Sequence, residues 1–547
     1  MNDAHPVTEG PVPGKQPGRS WPRRIGRFVL RAALVLVILA VVVAAALGVG
    51  SWWWARSDDG KAAMTTTGPY EASLESLRKH PLPTWFQDAK FGIMLHWGPY
   101  SVPGFAPKGR TFNETLVQDY DHALTRSPYA EDYANQIKDP DSPTAAFHRA
   151  TYGDATYADL AARFEAGLAE WDPDAWAEKF RSIGASYVVL TAKYADGYSL
   201  WPSTVRNPHA PDFHAKRDVV GELARAVRAR GLKFGLYYSG GVDWTFQPQV
   251  VQTLGDYAYL PYGSDYRDYA EAQVRELIDR YRPDLLWNDI SWPTGQQRLN
   301  ALLADYYNTV PDGVVNDRWR TANFLQQVMG LRPLRWCFDQ LMKRALRADP
   351  GVADRASTPP PVPHSDFRTP EYTGFDTIQD TYWQQDRGIG GSFGFNRQET
   401  DADYATPDTL LTSLLQAAAN NGTFLLDTGP SGGAGEIVPA QLSRLDAIGA
   451  WMSVNREAVD GTRPWRMSSA ATASGGKVVF TRRGSDVYVT VLDRPTGPIT
   501  IKDVVLQGNA QLLGSHEPVG LQQQGGDTVL TAAFSGGFAP VIKISGS

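Results

Sequence analysis

YVVLT (187–191), RDVVGELARAVRARG (217–231) and KFGLYY (233–238) follow one another along the chain. The two outer pieces are short apolar runs rich in β-branched and aromatic residues, which is how a buried strand reads. In the middle piece Val219, Leu223, Ala226 and Val227 recur at helical spacing, and Gly231 stands where a helix ends. Strand, helix and strand in this order predict parallel pairing through a crossover helix. The pattern repeats outward. FGIML (91–95) precedes it, and LLW (285–287) follows the amphipathic DYRDYAEAQVRELIDRY (265–281), with FLL (424–426) further on. We therefore expect an α/β chain whose central part, 70–464, is a (β/α)8-like barrel.

Near residue 465 the rhythm changes. KVVFTRR, DVYVTVLD, PITIKDV, AQLLG, TVLTAAF and PVIKIS are short, β-branched and separated by turn residues, with no helix between them. This predicts a C-terminal antiparallel β-sandwich over 465–547. One stretch interrupts the barrel, an insertion at 321–363. It holds the apolar and basic FLQQVMGLRPLRWCFDQLMKRALR and then the loop PGVADRASTPPPVP. It reads as a surface insertion, with a membrane-facing or partner-binding helix as the other reading.

The N-terminus has its own logic. Residues 1–31 carry Lys15, Arg19, Arg23, Arg24, Arg27 and Arg31 against Asp3 and Glu9, and are broken by prolines. Residues 32–54 carry no charge and end in Trp52, Trp53 and Trp54. At ~1.5 Å per residue such a stretch spans a bilayer core of ~30 Å. The expectation is a basic cytoplasmic tail (1–31), a transmembrane helix (32–54) and a polar linker (55–69), with all that follows outside the cell. A long cleavable signal peptide with a site near Ala46 is the alternative, and it would leave a secreted protein.

Composition excludes several classes. The net charge of −6 argues against a general nucleic-acid binder. A single cysteine, Cys337, excludes an intramolecular disulfide framework and cysteine-rich metal sites. His209 and His214 lack zinc-ligand spacing, and SGGAGE (431–436) lacks the Lys-Ser/Thr of a phosphate loop, so no metal or cofactor is expected. The chain has 17 tryptophans, an excess that suits a membrane belt at one place and sugar-stacking walls at another.

Functional side chains of a parallel barrel sit at the C-terminal ends of its strands. Applied here, the rule selects His96 and Trp97, Tyr194, Tyr237, Asp289 with Trp287 just before it, and Arg318. Aromatics mixed with carboxylates suit a sugar, whose CH faces stack while its hydroxyls need fixed partners. Glycoside cleavage requires two carboxyl groups, one ionised and one protonated. Asp289 closes an apolar strand; Glu371 in DFRTPEY and Glu131 in YAEDY are the candidates for the other.

Several segments resemble those of glycoside hydrolase family 29, the α-L-fucosidases: WFQDAKFGIMLHWGPYSVP (85–103), YVVLTAKYADGYSLWPS (187–203), KRDVVGELARAVRARGLKFGLYYSGGVDW (216–244), YRPDLLWNDISWP (281–293) and VVNDRW (314–319). DFRTPEY (366–372), RGIGGSFGFNR (387–397) and NNGTFLLDTGPSGGAGEI (420–437) complete the set in family order. The resemblance implies a retaining exo-glycosidase working through a covalent intermediate. It implies Asp289 as nucleophile, and Glu371 or Glu131 as acid/base. It also implies substrate contacts from His96, Tyr237, Trp287 and Arg318, to which we add Trp97 and Tyr194. The implied partner is a fucosylated or related glycoside, with the membrane engaged only through the N-terminal helix. Two departures stand out: Lys193-Tyr194-Ala195-Asp196-Gly197 where the family usually has Lys-His-His-Asp-Gly, and Asp132 where it usually has Trp. Losing the partner of a sugar hydroxyl costs ~1–3 kcal/mol. The alternatives are therefore another 6-deoxy or an α-L-galactosyl glycoside as substrate, or a carbohydrate-binding relative without catalysis.

Overall fold

The strand–helix–strand unit takes the expected form in the computed structural model, which describes residues 49–50, 53, 56–58, 60–258, 263–322, 329–356 and 361–546. β2 (Tyr187–Lys193) is followed by the helix Val219–Ala229 and by β3 (Lys233–Ser239). The Asp218 side chain caps the helix by accepting from the Gly221 N–H, and Gly231 ends it in the left-handed region at φ 75°. That conformation costs glycine nothing.

Around this unit lie β1 (Phe91–Leu95), β4 (Leu285–Asp289), β5 (Val314–Val315), β6 (Trp383–Gly388) and β7 (Gly422–Thr428). They form one parallel sheet in the order β5-β4-β3-β2-β1-β7-β6. The extended stretch 366–372 joins its two edges. Asp366 donates its N–H to Val315 O on one side, while on the other Gln384 N–H donates to Arg368 O and Tyr372 N–H to Asp386 O.

Side-chain alternation gives the curved sheet an inner and an outer face. Met94, Val189, Tyr237, Leu285, Val314 and Leu425 point inward and pack with Phe86 and with Phe367 of the bridging stretch. Their neighbours Ile93, Leu95, Val188, Leu190, Leu286 and Leu426 point outward into the helical layer. Two distinct apolar clusters separated by the sheet are what a period of two produces on a curved surface.

From Arg463 onward, five- and three-stranded antiparallel sheets face each other across a core that includes Val478, Phe480, Ile501, Leu530 and Ile542. Among the described residues no helix interrupts them. Two of the strands, Arg463–Ala471 and Gly520–Gln524, carried no clear sequence signal, the second because it reads GLQQQ.

The N-terminal half-hundred residues and the rest form separate units, 1–57 and 58–547. The expected membrane helix, 32–54, lies outside the described residues except at 49–50 and 53. Among the described residues no helix is long and apolar enough to cross a membrane. The stretch expected as a linker is, from Asp58 on, a strap laid along the barrel. Asp58 is 2% exposed and accepts from Gly295 N, Arg298 Nη1 and Arg267 Nη1. Thr65 and Thr66 donate to Asp305, and Tyr70 donates to Asn308. In the insertion, a helix spans Arg332–Ala348, and its Met342 and Leu346 pack on Leu116 and Leu254.

If 366–372 closes the barrel, Phe367→Ala empties a site lined by several strands. Thermal or urea unfolding should then show a loss of about 3–5 kcal/mol, whereas a loss below about 1 kcal/mol would mean the stretch only covers the edges.

Candidate active site

Continuing the inward alternation past each strand end lines up one set of side chains at the mouth. His96 follows Met94, Asp289 follows Trp287, and Asp386 and Asp427 follow Gln384 and Leu425. They open onto a cavity of 910 Å³ together with Glu131, Tyr194, Tyr237, Trp287, Arg318 and Glu371, though Asp427 stands just behind its wall. Every site residue expected from sequence therefore converges here but one. Trp97 is the exception: it is 1% exposed, packs on Phe164, Trp171 and Trp176, and donates Nε1–H to Gly432 O. Its position is odd relative to His96, so it faces the helical layer and not the cavity. Trp244, a few residues past β3, also lines the cavity, while Trp201 and Trp292 are buried away from it.

Arg318 organises the carboxylates. Its Nη1 lies 3.2 Å from Asp289 Oδ1 and 2.6 Å from Glu371 Oε1. Two oxygens bonded to one nitrogen at 3.2 and 2.6 Å are at most about 5.8 Å apart, which fits the ~5–5.5 Å spacing of retaining glycosidases and falls short of the ~6.5–9.5 Å of inverting ones. Burial alone would lower the guanidinium's pKa; Glu371 and Asp289 outweigh it and hold the charge in place. Its other donors reach Thr369, Nε to Oγ1 and Nη2 to the carbonyl, while Asp317 accepts from Thr369 N–H and Oγ1. These bonds set the stretch that carries Glu371. The other oxygen of Asp289, Oδ2, accepts the Tyr237 hydroxyl at 2.7 Å.

The backbone beside Asp289 is strained. Ile290 and Ser291 sit at φ 59° and 74°. A β-branched residue there is a genuine outlier, costing ~1–3 kcal/mol and held by its surroundings. Ile290 N–H donates to Asp289 Oδ1 at 2.8 Å, so the strained turn also aims a donor at the carboxylate.

Glu131 also lines the cavity. Its Oε2 accepts from Ser392 Oγ and Gly394 N, at 3.0 and 2.9 Å. Its neighbour Asp132 accepts the Tyr194 hydroxyl at 3.0 Å and the Ser127 hydroxyl at 3.0 Å. Burial first, then the nearby Glu131, push Asp132 up to about 7, against the pull of those two hydroxyls. The departures at 132 and 194 thus form one hydrogen-bonded unit facing the cavity.

Two acids escaped the sequence reading. His96 Nδ1 bonds Asp427 Oδ1 at 2.7 Å. Burial lowers the His96 pKa, against the pull of Glu131 and Asp386, so the ring is neutral near pH 7 and the Nδ1 proton is spent on Asp427. Nε2 is then an acceptor. Burial raises both Asp386 and Asp427 well above the carboxylate range; Asp427 raises Asp386 further, whereas the hydrogen bond with Asp386 pulls Asp427 back. Their facing oxygens have a donor only when a proton sits between them. The strand-end rule applied to FLLDT would have found Asp427. Asp386 had no such signal, because WQQDRG does not read as a barrel strand.

Asp132 titrates from ~3.9 unfolded to about 7 folded. A raised pKa means that the native state holds the extra proton, so its contribution to stability is complete below the unfolded value and is lost as pH rises through the folded one. Urea unfolding of wild type should therefore weaken between about pH 4 and about pH 7, and Asp132→Asn should weaken less over that window; an identical pH dependence for both chains would contradict this.

A family model described as alpha-L-fucosidase matches residues 60–457. The alpha-L-fucosidase of Branchiostoma floridae is 33% identical over 449 residues, covering 79% of this chain and 84% of that one. The tissue alpha-L-fucosidase of Bos taurus is 31% identical and covers 78% of each chain. Among solved structures, the Thermotoga maritima alpha-fucosidase superposes with a TM-score of 0.72 at 35% identity, covering 87% of this chain and 100% of that one. An alpha-L-fucosidase from Bacteroides thetaiotaomicron, 19% identical with a TM-score of 0.59, shares the fold. With motifs, barrel and mouth in agreement over most of its length, the chain belongs to the α-L-fucosidase family of glycoside hydrolases.

Proposed function

We propose that this protein hydrolyses terminal α-L-fucosyl residues with retention of configuration. The observation that carries the reading is the single guanidinium nitrogen shared by Asp289 and Glu371. Asp289, ion-paired with Arg318 at 3.2 Å, attacks the anomeric carbon. Glu371 gives a proton to the leaving oxygen, and a covalent glycosyl-enzyme forms. Glu371 then takes a proton from water, which attacks the same carbon and frees Asp289. Before the first step Glu371 must leave its contact with Arg318 and take up a proton, a change that substrate entry brings about. Glu131 is tied to the 392–394 loop and serves as a binding group.

His96 Nε2 accepts a bond from a sugar hydroxyl. Trp287 and Tyr237, stacked at 5.3 Å, offer an apolar wall to the deoxy face of the ring. A specific observation favours a second substrate. The Tyr194 hydroxyl is spent on Asp132, and Asp132 can accept one more donor, which an α-L-galactoside would supply with its extra hydroxyl. As to place, the basic tail and the apolar 32–54 support an exported domain held on the outer membrane surface, or secreted after cleavage.

Proton NMR of an aryl α-L-fucoside digest should show the α-anomer first, and the β-anomer first would overturn retention. Asp289→Gly should lower kcat by about 10⁴-fold or more, with azide restoring a glycosyl azide. Comparing kcat/KM for aryl α-L-fucoside and aryl α-L-galactoside decides between the two substrates.

A further inference from the structure

The helix Arg332–Ala348 has an unusual outer face. Among the described residues from 58 to 546, the three most exposed large apolar side chains belong to it or to its N-cap: Trp336 and Leu341, each 63% exposed, and Leu331, 58% exposed. Leu334 is exposed beside them. Interspersed with these are the exposed Arg332, Arg344 and Arg347. The helix's one acidic residue, Asp339, is turned inward to the Tyr120 hydroxyl and to Thr253 and Gly255. The outward face is therefore apolar and cationic, with no carboxylate of its own.

Its place in the barrel is equally specific. The helix follows β5 and packs on segments that follow β1 and β3, so it stands at the mouth end. Leu116 and Leu254, which it covers, also line the cavity. The strap reaches the same end. Asp58 is bonded to Gly295, just past β4, and to Arg267, in the first turn after the β3 loop, before the chain runs down the barrel to Asn308. In the sequence, the uncharged stretch ends at residue 54. Asp58, the first residue of the barrel-containing unit, thus lies at the mouth end, as the apolar and basic helix does.

We infer that the barrel mouth docks on an anionic lipid surface through this helix, so that the protein works on glycosides presented by the membrane. Exposed Trp and Leu side chains enter the headgroup boundary, and the arginines meet anionic headgroups. The cavity then opens along the bilayer and not toward bulk solvent, which selects a fucosyl group carried on a lipid or another membrane-bound molecule. That last step rests on the proposed fucosidase activity; the docking does not.

Cys337 lies exposed on the same face and is the chain's one cysteine, so it takes a label at a single site. The full chain, labelled there with a polarity-sensitive fluorophore, is reconstituted in vesicles of phosphatidylcholine alone or with added phosphatidylglycerol. With the anionic lipid, emission should shift to the blue and be quenched by a lipid-borne quencher, and salt should reverse both. Each arginine contributes about a fivefold gain in partitioning to an anionic surface, so R344E/R347E should weaken the response more than about twentyfold. Emission unchanged by phosphatidylglycerol overturns the docking. L334S/W336S/L341S should lower hydrolysis of a vesicle-borne fucosyl lipid about tenfold or more while sparing a soluble aryl fucoside. Equal loss on both substrates, or on neither, overturns the membrane-substrate reading. Absence of turnover on the soluble substrate by the unmodified chain would instead overturn the fucosidase reading, with the fluorescence still deciding the docking.

Discussion

Arg318 is the point at which barrel closure and site chemistry meet. Its guanidinium reaches Asp289 at the end of β4, and Thr369 and Glu371 in the stretch that joins β5 to β6. One side chain thus holds the seam of the ring and sets the distance between the two carboxylates. A planar fork with several fixed donors can do this, and a lysine, with one compact charge, could not. Burying such a group is expensive unless its partners are complete, and taking it away would leave two partly buried carboxylates unpaired at a cost of about 3–5 kcal/mol.

The rest of the mouth is an exercise in housing acids. Glu131, Asp132, Asp386 and Asp427 crowd behind or beside the cavity and are handled in three ways. Glu131 is met by a hydroxyl and a backbone N–H; Asp132 by two hydroxyls; Asp386 and Asp427 by a proton between them. The arrangement leaves His96 neutral and oriented, with one nitrogen committed to Asp427. It also means that the field in the cavity is dominated by negative charge and its local neutralisation, which suits a reaction passing through a positively charged sugar-like transition state.

Much of this was visible in the residues. The apolar strands β1 to β4 and β7, the helix between β2 and β3, and most of the sandwich follow from hydrophobic period alone. Asp289, Arg318 and His96 follow from the strand-end rule. β6 was hidden because its inward residues are Gln384 and Asp386, polar groups that serve the mouth and not the core. The closing stretch 366–372 was hidden because Thr369 and Pro370 break any strand pattern, and its hydrogen bonds are divided between β5 and β6. Trp97 was misplaced by proximity: it adjoins His96 in sequence, but the period of two sends neighbours to opposite faces. The Asp132–Tyr194 bond joins residues 62 positions apart, and no local rule could pair them.

The strap has a bearing on how the chain reaches its native state. Asp58 and Arg298 are 240 positions apart, as are Thr65 and Asp305. Synthesis runs from the N-terminus, so Asp58 and Thr65 wait for these partners until the helices of the second half of the barrel have emerged. Contacts this distant in sequence form late and slowly. The buried Arg298 is already met by Glu271 and Asp268, and Asp58 adds a third carboxylate that also takes the Gly295 N–H. Locking the start of the domain onto its middle is then among the last acts of folding, and a nascent chain arrested before that point would keep an exposed, charged groove for quality control to recognise.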